Sequence, residues 1–467
     1  MPIEATPRNA AHLWRRAAFG ATPEQIDDTI RNGIEATVES MFDHRRAVDA
    51  GGPLRFPGEQ PYDTEHLNLW FIRLAATSPM PAIEKLTWFW HGHFATNVDK
   101  FENPELLHAQ LLTFRRYGLG RFDDLLKLMA RDPAMVIWLD LDQSIVGRPN
   151  ENYARELMEL FSLGVDGGYH QFDVVNAGRA FTGYTLSGDY PPIVSLNAGL
   201  HDDGVKTILG STGNLDGDDV VDLIVARPEC HRFIASRMWM RYAGTSPPPE
   251  VLDFLAAAFA SRLRIADLLA AMFTHPAFYA DDVRAGLVSQ PIETAVALVR
   301  GLGLDLVDVR TTAVGDDGDE DDAVDEEGDA GGGDSDRGAR LPWFVLIAML
   351  EDMGQFIGHP PNVGGWPHNE PWLDATRSAG RLNAAITFAE SIEIDEVQSA
   401  PLQRIRDAAG RSPNNAAAVI FAALGVVEWS ADTESAIVAA LSAPDTDVGP
   451  LATALAVAIT SPEVILS

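Results

Sequence analysis

The chain has a single cysteine, Cys230, among 467 residues. No disulfide can close within it, and a thiolate-rich metal site is excluded. The role left for Cys230 is that of a small buried apolar side chain. Lysine is almost as scarce: Lys85, Lys100, Lys127 and Lys206 stand alone, and arginine supplies the rest of the 35 basic residues. Those bases face 68 carboxylates, for a formal net charge of -33. This shortage of positive charge argues against nucleic acid as a partner, because phosphate binding needs a basic stripe. It argues equally against anionic membrane surfaces. No uninterrupted apolar run approaches the roughly 18 residues of a membrane span, so none is expected. Arg15-Arg16 is not expected to open an export signal. The residues that follow, ATPEQIDDTI, are polar and acidic where an apolar stretch is required. The expected location is therefore the cytoplasm.

What the chain has in abundance is acid. Residues 315–336, GDDGDEDDAVDEEGDAGGGDSD, carry twelve carboxylates and no base. They show no apolar periodicity, so a disordered insert is expected there. Removing those twelve from -33 still leaves -21. At molar salt the Debye length is about 3 Å, and the self-repulsion of such a surface is screened. The composition suits the cytoplasm of a high-salt organism.

Most of the chain has helical patterning, and the expected fold class is mainly α. We expect one large multi-helix domain over residues 1–394 and a helical C-terminal region over 395–467 packed on it. Pro7 and Gly20 bracket a first helix, Thr22-Pro23 starts a second, and helices follow over 64–77 and 81–94. Asp218-Asp219 opens a long helix reaching Tyr242. The exception is 183–210, where β-branched residues and turn formers predict one small β hairpin with Asp189 to Pro192 at its turn. A loop at His201 to Gly204 then follows.

Four strings carry the chemistry. In WFWHGHFATN (88–97), Gly92 signals the end of a helix between His91 and His93. Either His93 projects into a cleft as metal ligand or general base, or the two histidines cap and solvate a helix end. NENYARELMELFSLG (150–164) reads as a helix capped by Asn150, with Glu151–Arg155 and Arg155–Glu159 at ion-pair spacing. Glu156 lies at the edge of its buried face, as a metal carboxylate, an acid/base group or a structural partner of arginine. HDDGVKTILG (201–210) sets His201 and Asp202 side by side, an economical metal or proton-transfer unit, or a simple turn. Lys206 lies just beyond, placed to neutralise an anion or to pair with Glu156. GHPPNVGGWPHNEPW (358–372) has four prolines and two tryptophans, which builds a rigid loop. Trp366 and Trp372 there either wall a substrate cleft or plug a helical core, and Gln355 and Asn362 add uncharged hydrogen-bonding groups. Asn214 to Asp218 imitates a calcium loop, but its sixth position is Asp219 rather than glycine, and a helix N-cap accounts for it better.

Together with HLWRRAAFG (12–20), these strings resemble the family catalogued as domain of unknown function 1800, over nearly the whole chain from Arg8 to TSPEVILS. The resemblance implies a mostly helical fold and no named activity. The acidic insert is not part of the family pattern. Two functions are therefore open. One is a metal-dependent hydrolase with His93, Glu156, His201 and Asp202 around a divalent cation whose water is the nucleophile, and with Lys206 assisting His93 and Glu156. The other is a non-catalytic binding or assembly protein whose tryptophan-rich loop holds a protein partner or a glycan. Substrate, metal and oligomeric state are not specified by these residues.

Overall fold

The computed structural model describes residues 3–43, 63–188, 192–284, 286–307, 340–394, 397–444 and 448–466. The acidic insert 315–336 and the tip of the expected hairpin, 189–191, lie outside the described residues. Helices dominate, with three two-stranded sheets among them. The first helices start as their sequences dictate. Thr6 caps Pro7–Ala17 through the Asn9 amide, and Thr22 and Gln25 form a capping box ahead of Pro23–Asn32. One apolar cluster runs from Leu13 through the body to Ile459. The C-terminal helices join it as Ala375–Ile394 packs on Pro450–Ile459. No helix among the described residues is long and apolar enough to cross a membrane. Cys230 is fully buried, and burial pushes its thiol pKa up, as its apolar role requires.

Two helical expectations change. The long helix from Asp218 to Tyr242 is two helices, Gly217–Val225 and Pro228–Ala243. Pro228 cannot supply a backbone donor and disfavours helix at Arg227, so it can only begin the second one. Asp216 caps the first helix by accepting from the Asp218 and Asp219 amides, which is the role expected of the calcium-like string. In the 150–164 string the helix Asn152–Glu156 widens into a π turn over Leu157–Ser162. The wider turn breaks the i,i+4 register. Arg155 accordingly pairs with Glu151 at 3.1 Å and bonds Gln171, and not Glu159.

The β region holds two hairpins where one was expected. Strands β1 (Tyr184–Ser187) and β2 (Ile193–Leu196) pair antiparallel with Tyr184 opposite Leu196. Strands β3 (Lys206–Ile208) and β4 (Ser211–Gly213) form the second, turning through Leu209 and Gly210, both at positive φ. A parallel pair, β5 (Asp305–Val307) and β6 (Arg340–Pro342), flanks the stretch containing the acidic insert, so the chain returns beside the point it left.

Candidate functional site

The site grows from the helix Pro81–His93, whose side chains are buried nearly all round. A helix so placed must satisfy its polar groups internally. Glu84 takes Arg115 at 3.0 Å and the Ser78 hydroxyl at 2.8 Å. Lys85 reaches Glu293 at 2.8 Å. Trp88 donates its indole N–H to Gln290 Oε1 at 2.7 Å, and Trp90 donates to the Gly118 carbonyl at 3.0 Å. The helix ends at His93, one residue past Gly92, where its end was expected.

Gly92 and the loop 354–372 meet closely. At Gly365, φ is +84° and an added Cβ would lie 2.2 Å from the Gly92 carbonyl oxygen. Only glycine permits both the conformation and the approach. Asn369 pins the far end of the loop, donating to the Gly244 and Gly286 carbonyls and accepting from the Val288 amide. Trp366 is thereby laid against Trp88, with ring centroids 4.9 Å apart, and against His91 at 5.1 Å.

Between this loop, the Pro81–His93 helix and the helix Pro228–Ala243 lies a cavity of about 90 Å³. Trp88 and Trp366 form an aromatic wall, and His93, His368, Arg237, Arg241 and Gln290 add polar groups. Arg237 and Arg241 are four residues apart on one helix, so both reach the same side. Four of these residues hold a buried nitrogen without a hydrogen-bond partner: His93 Nδ1, His368 Nε2, Arg237 Nε and Arg241 Nη1. His93 donates through Nε2 to the Phe161 carbonyl at 3.0 Å, at the π turn. The Met240 backbone lies beside His368 and favours its protonated form. Burial, with Arg237 beside it, lowers the His93 pKa to about 3, and burial with Arg241 nearby lowers that of His368 to about 4. Both imidazoles are neutral at physiological pH.

The charge around the cavity is lopsided. Glu293 pairs with both Lys85 and Arg241. Burial raises its pKa, but the two cations prevail and hold it at about 2. Lys85 is pulled down to about 8 by burial in spite of Glu293. Arg237, half-buried, makes no ion pair among the described residues, and burial makes its charge costly. Arg237 and Arg241 thus line the cavity, and Glu293, paired with Arg241, stands behind it.

The expected metal ligands are not brought together. Among the described residues no group of three or more His, Cys, Asp or Glu side chains is placed to hold a metal ion. Asp202 accepts two hydrogen bonds from Arg179, which lowers its pKa, and His201 Nδ1 donates to the Thr182 carbonyl. Lys206 Nζ donates to the Gly204 carbonyl at 3.0 Å and makes no ion pair with Glu156. These three stabilise the loop between the hairpins. Glu156 is half-buried, its pKa raised by burial and by Glu159. His93 alone of the expected ligands lines the cavity. Of the expected substrate-binding groups, Trp366 lines it as well. Gln355 stands behind it, accepting from the Ile292 amide and donating to Gln290 at 3.4 Å. Trp372 is buried with its indole on the Pro367 carbonyl, and exposed Asn362 accepts from the Gly364 amide in a turn.

A family model described as protein of unknown function (DUF1800) matches residues 12–466. The chain belongs to this family. No curated protein and no solved structure matches it. The cavity of this DUF1800 member is lined by Arg237, Arg241, His368 and Gln290, none of which stood out in the sequence, and by the core residue Trp88. A signal was present for the first two: arginines at i and i+4 in SRMWMRYAG, amid large apolar residues.

Proposed function

We propose that the chain is a ligand-binding protein whose site is the cavity beneath the Trp366 loop. The observation that carries this reading is the concentration of unpartnered buried nitrogens on one cavity. Each such group costs about 1–3 kcal/mol unless something bonds it. Four around a single space, beside two tryptophans, support a site built for a molecule that completes them. Larger recesses of about 290 and 320 Å³ exist elsewhere. The first already spends its charge on the exposed pairs Arg8–Asp281 and Arg8–Glu428. The binding role thus takes precedence over metal-dependent hydrolysis, whose ligands are apart.

A thermal-shift panel of neutral sugars, charged sugars, amino acids and short peptides tests the reading, with Trp88 and Trp366 emission as a second signal. At least one class is expected to raise the midpoint of the wild type and not of Trp366→Ala. The reading fails if every stabilising compound acts equally on wild type, Trp366→Ala and Arg237→Gln.

A further inference from the structure

Resting on the reading that the cavity binds a ligand, we infer what that ligand is: a sugar ring bearing an oxyanion, the anion held between Arg237 and Arg241 and the ring hydroxyls donating to His93 and His368.

The anion follows from charge. Glu293 is shared by Lys85 and Arg241, and Arg237 makes no ion pair among the described residues. Two guanidiniums thus line the cavity, and the carboxylate Glu293 pairs with one of them, a local excess of positive charge in a chain whose net charge is -33. A buried guanidinium without a counter-ion is costly, and an oxyanion is its natural geometric partner. Arg237 Nε and Arg241 Nη1, the two unpartnered donors, supply the contacts.

The hydroxyls follow from the imidazoles. A carbonyl oxygen only accepts, so the His93 nitrogen facing the Phe161 carbonyl must carry the hydrogen. The Met240 backbone raises the His368 pKa against its burial, as a carbonyl accepting from the ring does. In a neutral ring the other nitrogen is then an acceptor. The cavity therefore pairs two cationic donors with two lone pairs. A bare sulfate or carboxylate satisfies the arginines but sets its own lone pairs against those of the histidines. A ligand with O–H groups adjacent to its charge satisfies both.

The ring follows from the tryptophans and the size. An engineered cavity of about 150 Å³ admits benzene. The space here is about 90 Å³, enough for a charged substituent and one ring edge. The remainder of the ring lies at the mouth against half-exposed Trp366, whose face suits the C–H side of a sugar.

Calorimetric titration of the full chain in KCl distinguishes the sources of the anion. The probes are glucuronate and galacturonate for a carboxylate, glucose 6-sulfate for a sulfate ester, glucose and galactose as neutral parents, and potassium sulfate as bare anion. At least one charged sugar is expected to bind ten-fold or more tighter than its neutral parent, with no measurable heat from sulfate. Arg237→Gln should erase that advantage, and Trp366→Ala should weaken every sugar, both with unchanged circular dichroism. Trp366-dependent binding of neutral sugars as tight as the charged ones overturns the inference and leaves the cavity reading standing. Sulfate binding as tight as the sugar acids removes the role of the hydroxyls and likewise overturns it. Absence of Trp366-dependent binding by any of these probes, in variants that fold, overturns the inference, and the cavity reading then rests on the amino acids and peptides of the thermal-shift panel.

Discussion

Replacing Glu293 with glutamine isolates the buried ion-pair network behind the cavity. The carboxylate is 4% exposed and holds Lys85 at 2.8 Å and Arg241 more closely still. Glutamine keeps the shape and removes the charge, leaving two buried cations uncompensated. Removing one partner of a buried ion pair costs about 3–5 kcal/mol. Unfolding entropy of about 2.1 cal/mol/K per residue makes 1 kcal/mol worth about 1 °C for a chain of this length. Glu293→Gln should therefore lower the thermal midpoint by about 3–5 °C. Urea unfolding at constant KCl measures the same loss without adding salt. The pH dependence has a defined sign. The folded pKa of Glu293, about 2, lies below its ordinary value of 4.5. Its contribution is complete above pH 4.5 and is lost as pH falls toward 2. The gap between wild type and variant should thus be full at neutral pH and narrow below pH 4.5. Adding Lys85→Met to Glu293→Gln should recover part of the stability, because one of the two stranded cations goes with it. A loss under about 1 kcal/mol, or a double variant less stable than the single one, would refute the reasoning.

Gly365→Ala places a methyl 2.2 Å from the Gly92 carbonyl at a positive φ, so it should cost more than about 1 kcal/mol and shift the Trp366 emission; a variant as stable as wild type would mean that the loop does not lie there. His93 refuses a proton down to about pH 3 while the unfolded chain accepts one near 6.5, so stability is expected to fall by on the order of 4 kcal/mol from this residue as pH drops through that window. His93→Gln, which can still donate to the Phe161 carbonyl, should flatten that slope in chemical denaturation across pH 3.5–7. Deleting 315–336 should leave the midpoint in molar KCl within a few degrees, because the deleted residues offer no core and the flanking strands Asp305–Val307 and Arg340–Pro342 are neighbours; loss of cooperative unfolding is the contrary result. With -21 remaining outside that insert, circular dichroism in dilute buffer should show lost helix that returns in molar KCl.

Local chemistry made much of the fold legible along the chain. Proline after threonine marks where Pro7–Ala17 and Pro23–Asn32 begin, because a missing backbone donor is harmless only in the first turn. The intrusion of β structure near 183–210 was visible from residues that stiffen the backbone, though its division into two hairpins rests on the Leu209-Gly210 turn, which composition alone does not specify. The rigidity of the Trp366 loop was likewise written in its prolines and glycines. Which polar residues share a space was not. His93, Arg237, Gln290 and His368 come from four distant segments, and their meeting depends on how helices pack. Titratable residues with conspicuous local spacing, such as His201-Asp202, drew attention because sequence displays neighbours. Asp202 instead turns to Arg179 and His201 to a carbonyl, satisfied close to home. The cavity gathers residues with nitrogens unpartnered among the described residues, and a missing partner is a property of three-dimensional packing.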